Sequence, residues 1–108
     1  MHESTDRIAL LRALAEESPG DATTQFLLGR ELASAGHAAE AAAAFAAAIA
    51  ADADYAAAYR QLGNALETAG RRDEAADAYR RGVLVAERTN DLQAGKEMRA
   101  FLKRLERA

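Results

Sequence analysis

The sequence has no cysteine and a single proline, Pro19. Without cysteine it has no disulfide, no thiolate nucleophile and no Cys-based metal site. No β-branched run occurs, and with one proline the chain reads as all-helical. Its two histidines stand apart, His2 in the N-terminus and His37 in a turn, and no second set of ligands has metal-site spacing. There is no glycine-rich phosphate loop, and Glu16, Glu17 and Glu40 have no partner that would raise a carboxyl pKa for acid–base work. The expectation is a protein with no catalytic residues, no metal and no cofactor.

Long hydrophobic runs are equally scarce. The longest, residues 41–51, is too short and too alanine-rich to cross a bilayer. The opening MHESTDRIALL has acids where a signal peptide has a basic region. No membrane partner and a cytoplasmic location are expected. The net charge of −3 gives no basic surplus for nucleic acid. Its distribution is uneven: residues 1–55 carry three arginines against nine carboxylates, and residues 56–108 eleven basic side chains against eight acidic ones. Thirty alanines and twelve arginines against two lysines suggest a GC-rich bacterial genome. Alanine favours helix but buries little area, so the core must rest on few large side chains and close helix approach.

What the chain does have is a stretch stated twice. Residues 28–49 read LGRELASAGHAAEAAAAFAAAI and residues 62–83 read LGNALETAGRRDEAADAYRRGV. Leu28-Gly29, Leu32, Gly36, Ala41 and Phe45 recur 34 residues on as Leu62-Gly63, Leu66, Gly70, Ala75 and Tyr79. Apolar periodicity predicts helices near residues 6–17, 22–35, 38–51, 55–69, 73–88 and 91–107. Expected caps are Thr5 or Asp6, Asp21, the Asp52-Ala53-Asp54 stretch and the Thr89-Asn90-Asp91 turn. Gly36 and Gly70 are expected stops. Asp77 is expected to pair with Arg80 and Arg81. Connections of two to four residues make neighbours antiparallel, so each unit is a hairpin. The glycine of each Leu-Gly pair and the facing alanine admit a close approach, and the aromatic fills the space left. A single hairpin leaves an apolar face open, so hairpins must stack.

These residues resemble the tetratricopeptide repeat: a large residue, Leu-Gly, a large residue, a turn glycine, then alanine and an aromatic four apart. Gln25 and Tyr59 stand where that family often has tryptophan, and Ala53 and Glu87 where it has the boundary proline. The resemblance implies a right-handed all-α stack of about six helices forming one domain over 1–108. Its parts are an N-terminal half-repeat (6–18), repeat one (22–55), repeat two (56–89) and a capping helix (91–107).

The resemblance also implies a non-catalytic module that binds a protein or peptide in a concave groove. The groove residues would be Thr23, Phe26, Arg30 and Ala33 from the first unit, with packing under the first helix as the alternative for Phe26, and Arg60, Asn64, Glu67 and Thr68 from the second. Met98 and Phe101 would join them if the last helix packs in register. Arg60 and Asn64 match part of a carboxylate clamp, but Asp91 and Gly95 cannot supply its third cationic tier. The arginines at 71, 72, 80, 81 and 88 sit among acids and read as a solvated face. Lys96, Arg99, Lys103, Arg104 and Arg107 make the last helix basic outside. Alternatives are self-association through the terminal helices, giving a homo-oligomer, and an accessory role in an enzyme complex. On the groove reading, Phe26→Ala or Arg60→Glu weakens partner capture and leaves helicity intact.

Overall fold

The computed structural model describes residues 2–107, with side chains from residue 5. Six helices account for the described chain: α1 (His2–Glu17), α2 (Ala22–Ser34), α3 (Ala38–Ala51), α4 (Ala56–Thr68), α5 (Arg72–Thr89) and α6 (Leu92–Arg107). The described residues form no strand. α2 pairs with α3 and α4 with α5, while α1 packs on α2 and α6 on α5 and α4.

The helix ends follow local chemistry. Asp21 caps α2, its Oδ1 accepting the Thr24 N–H at 3.3 Å. Asp91 does the same for Ala94 at the start of α6, at 3.1 Å. Gly36 (φ 87°) and Gly70 (φ 79°) occupy the left-handed position after α2 and α4. That position turns the next N–H back over the helix, so His37 bonds Leu32 O at 2.9 Å and Arg71 bonds Leu66 O at 2.8 Å. Asn90, also left-handed at φ 59°, closes α5 in the same way, with Asp91 N bonding Ala86 O at 2.8 Å.

Three local expectations are corrected. α1 starts at His2, so Thr5 and Asp6 lie within the helix and do not cap it. Asp52 turns on its own loop, accepting the Asp54 N–H at 3.0 Å, and the cap of α4 is Tyr55, without a side-chain bond. Asp77 does not take Arg80 or Arg81. Arg80 reaches Glu106 at 3.5 Å, and Arg81 lies over the Tyr59 ring at 5.5 Å. Both arginines are turned toward partners on other helices.

Three glycines set the helix approach. A Cβ on Gly29 would stand 2.6 Å from the Phe45 ring, and one on Gly63 2.1 Å from the Tyr79 ring. Each aromatic therefore lies directly on the backbone of the preceding helix. Gly82 repeats the device for α6, since a Cβ there would meet Met98 Sδ at 2.3 Å. Phe45, Tyr79, Leu32 and Met98 are the largest fully buried side chains, and Ala41 and Ala75 are wholly enclosed. Burying each of the large ones contributes about 1.5–3 kcal/mol.

Gln25 belongs to the same scheme. It is buried, and its Nε2 points to the Pro19 carbonyl at 3.5 Å. Tyr59, its counterpart in the second unit, donates to the Ala53 carbonyl at 3.0 Å. Each side chain holds the carbonyl six residues upstream, so the amide keeps the tie that the phenol makes, through a longer bond.

Gly63→Ala forces the Tyr79 ring aside and is expected to destabilise the fold by about 1–3 kcal/mol. At Gly20 an added Cβ meets nothing within 4 Å, so Gly20→Ala is expected to change stability by less than about 0.5 kcal/mol. Thermal unfolding followed by circular dichroism compares the two.

Candidate partner-binding surface

The backbones of α2 and α4, and of α4 and α6, come close, whereas those of α1, α3 and α5 stay apart, with the Arg12–Glu40 side-chain pair reaching from α1 to α3. The first set therefore forms a tight inner wall, and the others splay apart outside it. Between α3 and α5 the splay opens an outer groove of about 500 Å³, lined by Ala39, Ala43 and Ala46 on one side and Asp73 and Asp77 on the other.

The expected groove residues divide into those still accessible and those already engaged. Thr23 and Arg30 are exposed on α2. Arg30 takes part in none of the ion pairs among the described residues. Phe26 is buried: its ring stacks on Tyr55 at 4.8 Å between centroids and tilts against Phe45 at 5.6 Å. Phe26 is thus a packing residue of the first hairpin. Phe26→Ala would cost about 3–5 kcal/mol of stability, which removes it as a clean probe of binding.

Arg60 and Glu67 on α4 are each held by a neighbour within the chain, and Asn64 lies against the Tyr79 hydroxyl. Arg60 is ion-paired with Glu97 of α6. Arg60→Glu would set two carboxylates against each other and disturb α6, so it too fails as a binding probe. Tyr79 Oη lies 2.7 Å from Asn64 Oδ1 and 2.5 Å from Glu67 Oε2. Its one proton serves the stronger acceptor, the carboxylate. Glu67 also accepts both terminal nitrogens of Arg104 at 3.0 Å. The Arg104 bonds hold the Glu67 carboxyl below its usual range, against the opposing effect of burial. Burial, then the Glu67 hydrogen bond, push the Tyr79 phenol far up, so it stays protonated. Glu97 is lowered by the Gln93 amide and then by Arg60.

Met98 does not line a groove. It is fully buried on Gly82 and beside Tyr59, because the small residue at 82 draws the thioether into the core. Phe101 is half-buried, its ring 5.4 Å from that of Tyr79, with the Arg104 guanidinium 5.8 Å above it. The two ties from α4 to α6, Arg60 to Glu97 and Glu67 to Arg104, each span 37 residues and not the repeat's 34.

One accessible residue escaped the sequence reading. Gln61 lies with Ala33, Asn64, Ala65 and Thr68 around a concavity of about 100 Å³ between α2 and α4. Its signal was present, since 61, 64, 65 and 68 share one helical stripe. Among the described residues no group of three or more His, Asp or Glu is placed to hold a metal ion, and no helix is long and apolar enough to cross a membrane.

Glu67 and Glu97 have folded-state pKa values below their unfolded ones. Their contribution is therefore complete above the unfolded carboxyl range and lost as pH falls through the folded values. α6 is expected to loosen before the α2–α5 core as pH falls below the usual carboxyl range, where the lowered Glu67 and Glu97 finally take up protons. Amide exchange resolved by helix checks this: protection in α6 should fall first on acidification, and Glu67→Gln should weaken it already at pH 7.

Comparison with known proteins gives a consistent answer. The type III secretion translocator chaperone of Yersinia enterocolitica superposes with a TM-score of 0.87 over 97% of this chain and 73% of its own, at 13% identity, a likeness of fold. A tetratricopeptide repeat domain protein from Salinibacter ruber is 29% identical, with a TM-score of 0.74 over 82% of this chain and 90% of its own. A protein from Bordetella parapertussis is 30% identical, with a TM-score of 0.77 over 93% of this chain and 87% of its own. No functionally curated sequence matches. Residues 2–85 match the tetratricopeptide repeat profile. With the doubled 34-residue spacing and the glycine–aromatic packing described above, this chain belongs to the tetratricopeptide repeat family.

Proposed function

We propose that the protein is a non-catalytic interaction module that binds a segment of another protein along the inner wall of α2 and α4. The observation that carries this reading is the contrast within the wall. Arg60 and Glu67 are committed to α6, while Thr23, Arg30, Gln61 and Thr68 face solvent or line the small concavity. A strip with one uncommitted cation, amide and hydroxyl groups and an alanine floor suits an extended segment with a carboxylate for Arg30 and small side chains over Ala33 and Ala65. The membership established above supports the class of function; the strip supports the place.

The test is affinity capture from source-cell lysate, followed by titration of the recovered partner against wild type, Arg30→Glu and Thr68→Arg. Both variants are expected to keep their helicity and to bind at least about tenfold more weakly, the loss of roughly one charge-assisted contact. Wild-type affinity in both variants sinks the reading.

A further inference from the structure

α1 leaves a leucine edge uncovered. Leu10 is 60% exposed and Leu14, one turn on, 42%, and Leu27 of α2, across a shared depression from Leu10, is 41% exposed. Leu10 and Leu27 border one depression of about 310 Å³, with Arg7, Leu11, Arg30 and Glu31. Three large apolar side chains on one edge form a patch of the kind that marks an interaction surface.

The order of residues along that edge says what covers it. Arg7, Leu10, Leu14 and Glu17 are spaced by three, four and three, so they form one stripe along α1. The stripe is a palindrome in chemistry. If a second α1 lies antiparallel, with the two-fold axis at residue 12, Leu10 of each copy meets Leu14 of the other. Arg7 of each then meets Glu17 of the other. A parallel pairing would set Arg7 against Arg7 and Glu17 against Glu17. Arg7 already bonds Glu31 through Nε at 2.7 Å, yet its side chain is 54% exposed, and a guanidinium with five donors serves more than one carboxylate. Glu17 is exposed and takes part in none of the ion pairs described.

We propose that this edge is a homodimer interface, in which two copies pair through antiparallel α1 helices with Leu10 against Leu14 and Arg7 against Glu17, flanked by Leu27. Such an isologous contact closes on itself and forms dimers, not filaments. One helix face and an edge bury less than the roughly 800 Å² per partner of a standard interface. The dimer is therefore weak and forms with rising concentration. Arg30 borders both the depression and the binding strip, so the two readings are separated by Thr68→Arg, which lies on α4 outside the contact and should weaken partner binding without changing dimerisation.

Sedimentation equilibrium from about 10 µM to about 1 mM covers the range of weak self-association. The wild-type mass should rise from 11.5 kDa toward twice that value. Leu14→Arg should stay monomeric with unchanged helicity, a loss of at least about tenfold in association. Register is tested with single-cysteine variants, which the cysteine-free chain permits. Oxidising a mixture of Arg7→Cys and Glu17→Cys, which keep the leucines, should give mainly the mixed disulfide. A wild type that remains at 11.5 kDa throughout overturns the proposal and leaves the leucine edge to the helix of a different protein. Association of Leu14→Arg equal to wild type, or 7–7 and 17–17 disulfides as abundant as the mixed one, also overturns it.

Discussion

The fold depends on the contact of a large side chain with bare backbone. At Gly29, Gly63 and Gly82 the facing helix delivers Phe45, Tyr79 and Met98 into the space where a Cβ would stand. A chain with so much alanine has little apolar area to bury per residue, so it must gain from close packing what it lacks in side-chain size. Glycine lowers helix propensity by about 1 kcal/mol relative to alanine. That loss is offset because each glycine admits the side chain that joins two helices. The same contact made three times in series gives the stack its direction.

The third use of the contact differs from the first two and shapes the surface. In the hairpins a rigid aromatic covers the glycine, whereas at Gly82 the flexible Met98 does so and joins the second hairpin to the last helix. α6 then lies close enough to α4 for Arg60 to reach Glu97 and for Arg104 to reach Glu67. These pairs are partly buried at their α4 ends, and Tyr79 extends one of them into the core through its hydroxyl. Groove positions of the second unit are thus used to hold the last helix. The accessible chemistry of the inner wall moves toward α2 and toward the Gln61–Thr68 side of α4.

The N-terminal end has the opposite character. α1 is tied to its neighbours by Arg7–Glu31 and Arg12–Glu40, both largely exposed pairs of the kind that contribute little individually. Its own leucines are split between the core side, where Leu11 packs, and the open edge of Leu10 and Leu14. The end of the stack held by charges at its seam is also the end that presents apolar surface to solution.

The 34-residue doubling made the helices, their antiparallel pairing and the glycine–aromatic contacts legible, because those features recur wherever the local spacing recurs. Gly36 and Gly70 announced their turns, and Asp21 its cap, since each acts within a few residues of itself. The site was less legible. Phe26 and Met98 were placed on a groove by repeat register, but a register says which face a residue shares and not what reaches that face from elsewhere. Tyr55 covers Phe26 from 29 residues away, and Gly82 takes in Met98. Arg60 and Glu67 found their partners 37 residues on, outside the repeat's own period. Periodic packing, then, was determined by the sequence alone, because it rests on local geometry and on contacts that repeat. Which charged and aromatic side chains remain free was decided only by the tertiary structure, because it depends on contacts made once, between segments that share no period.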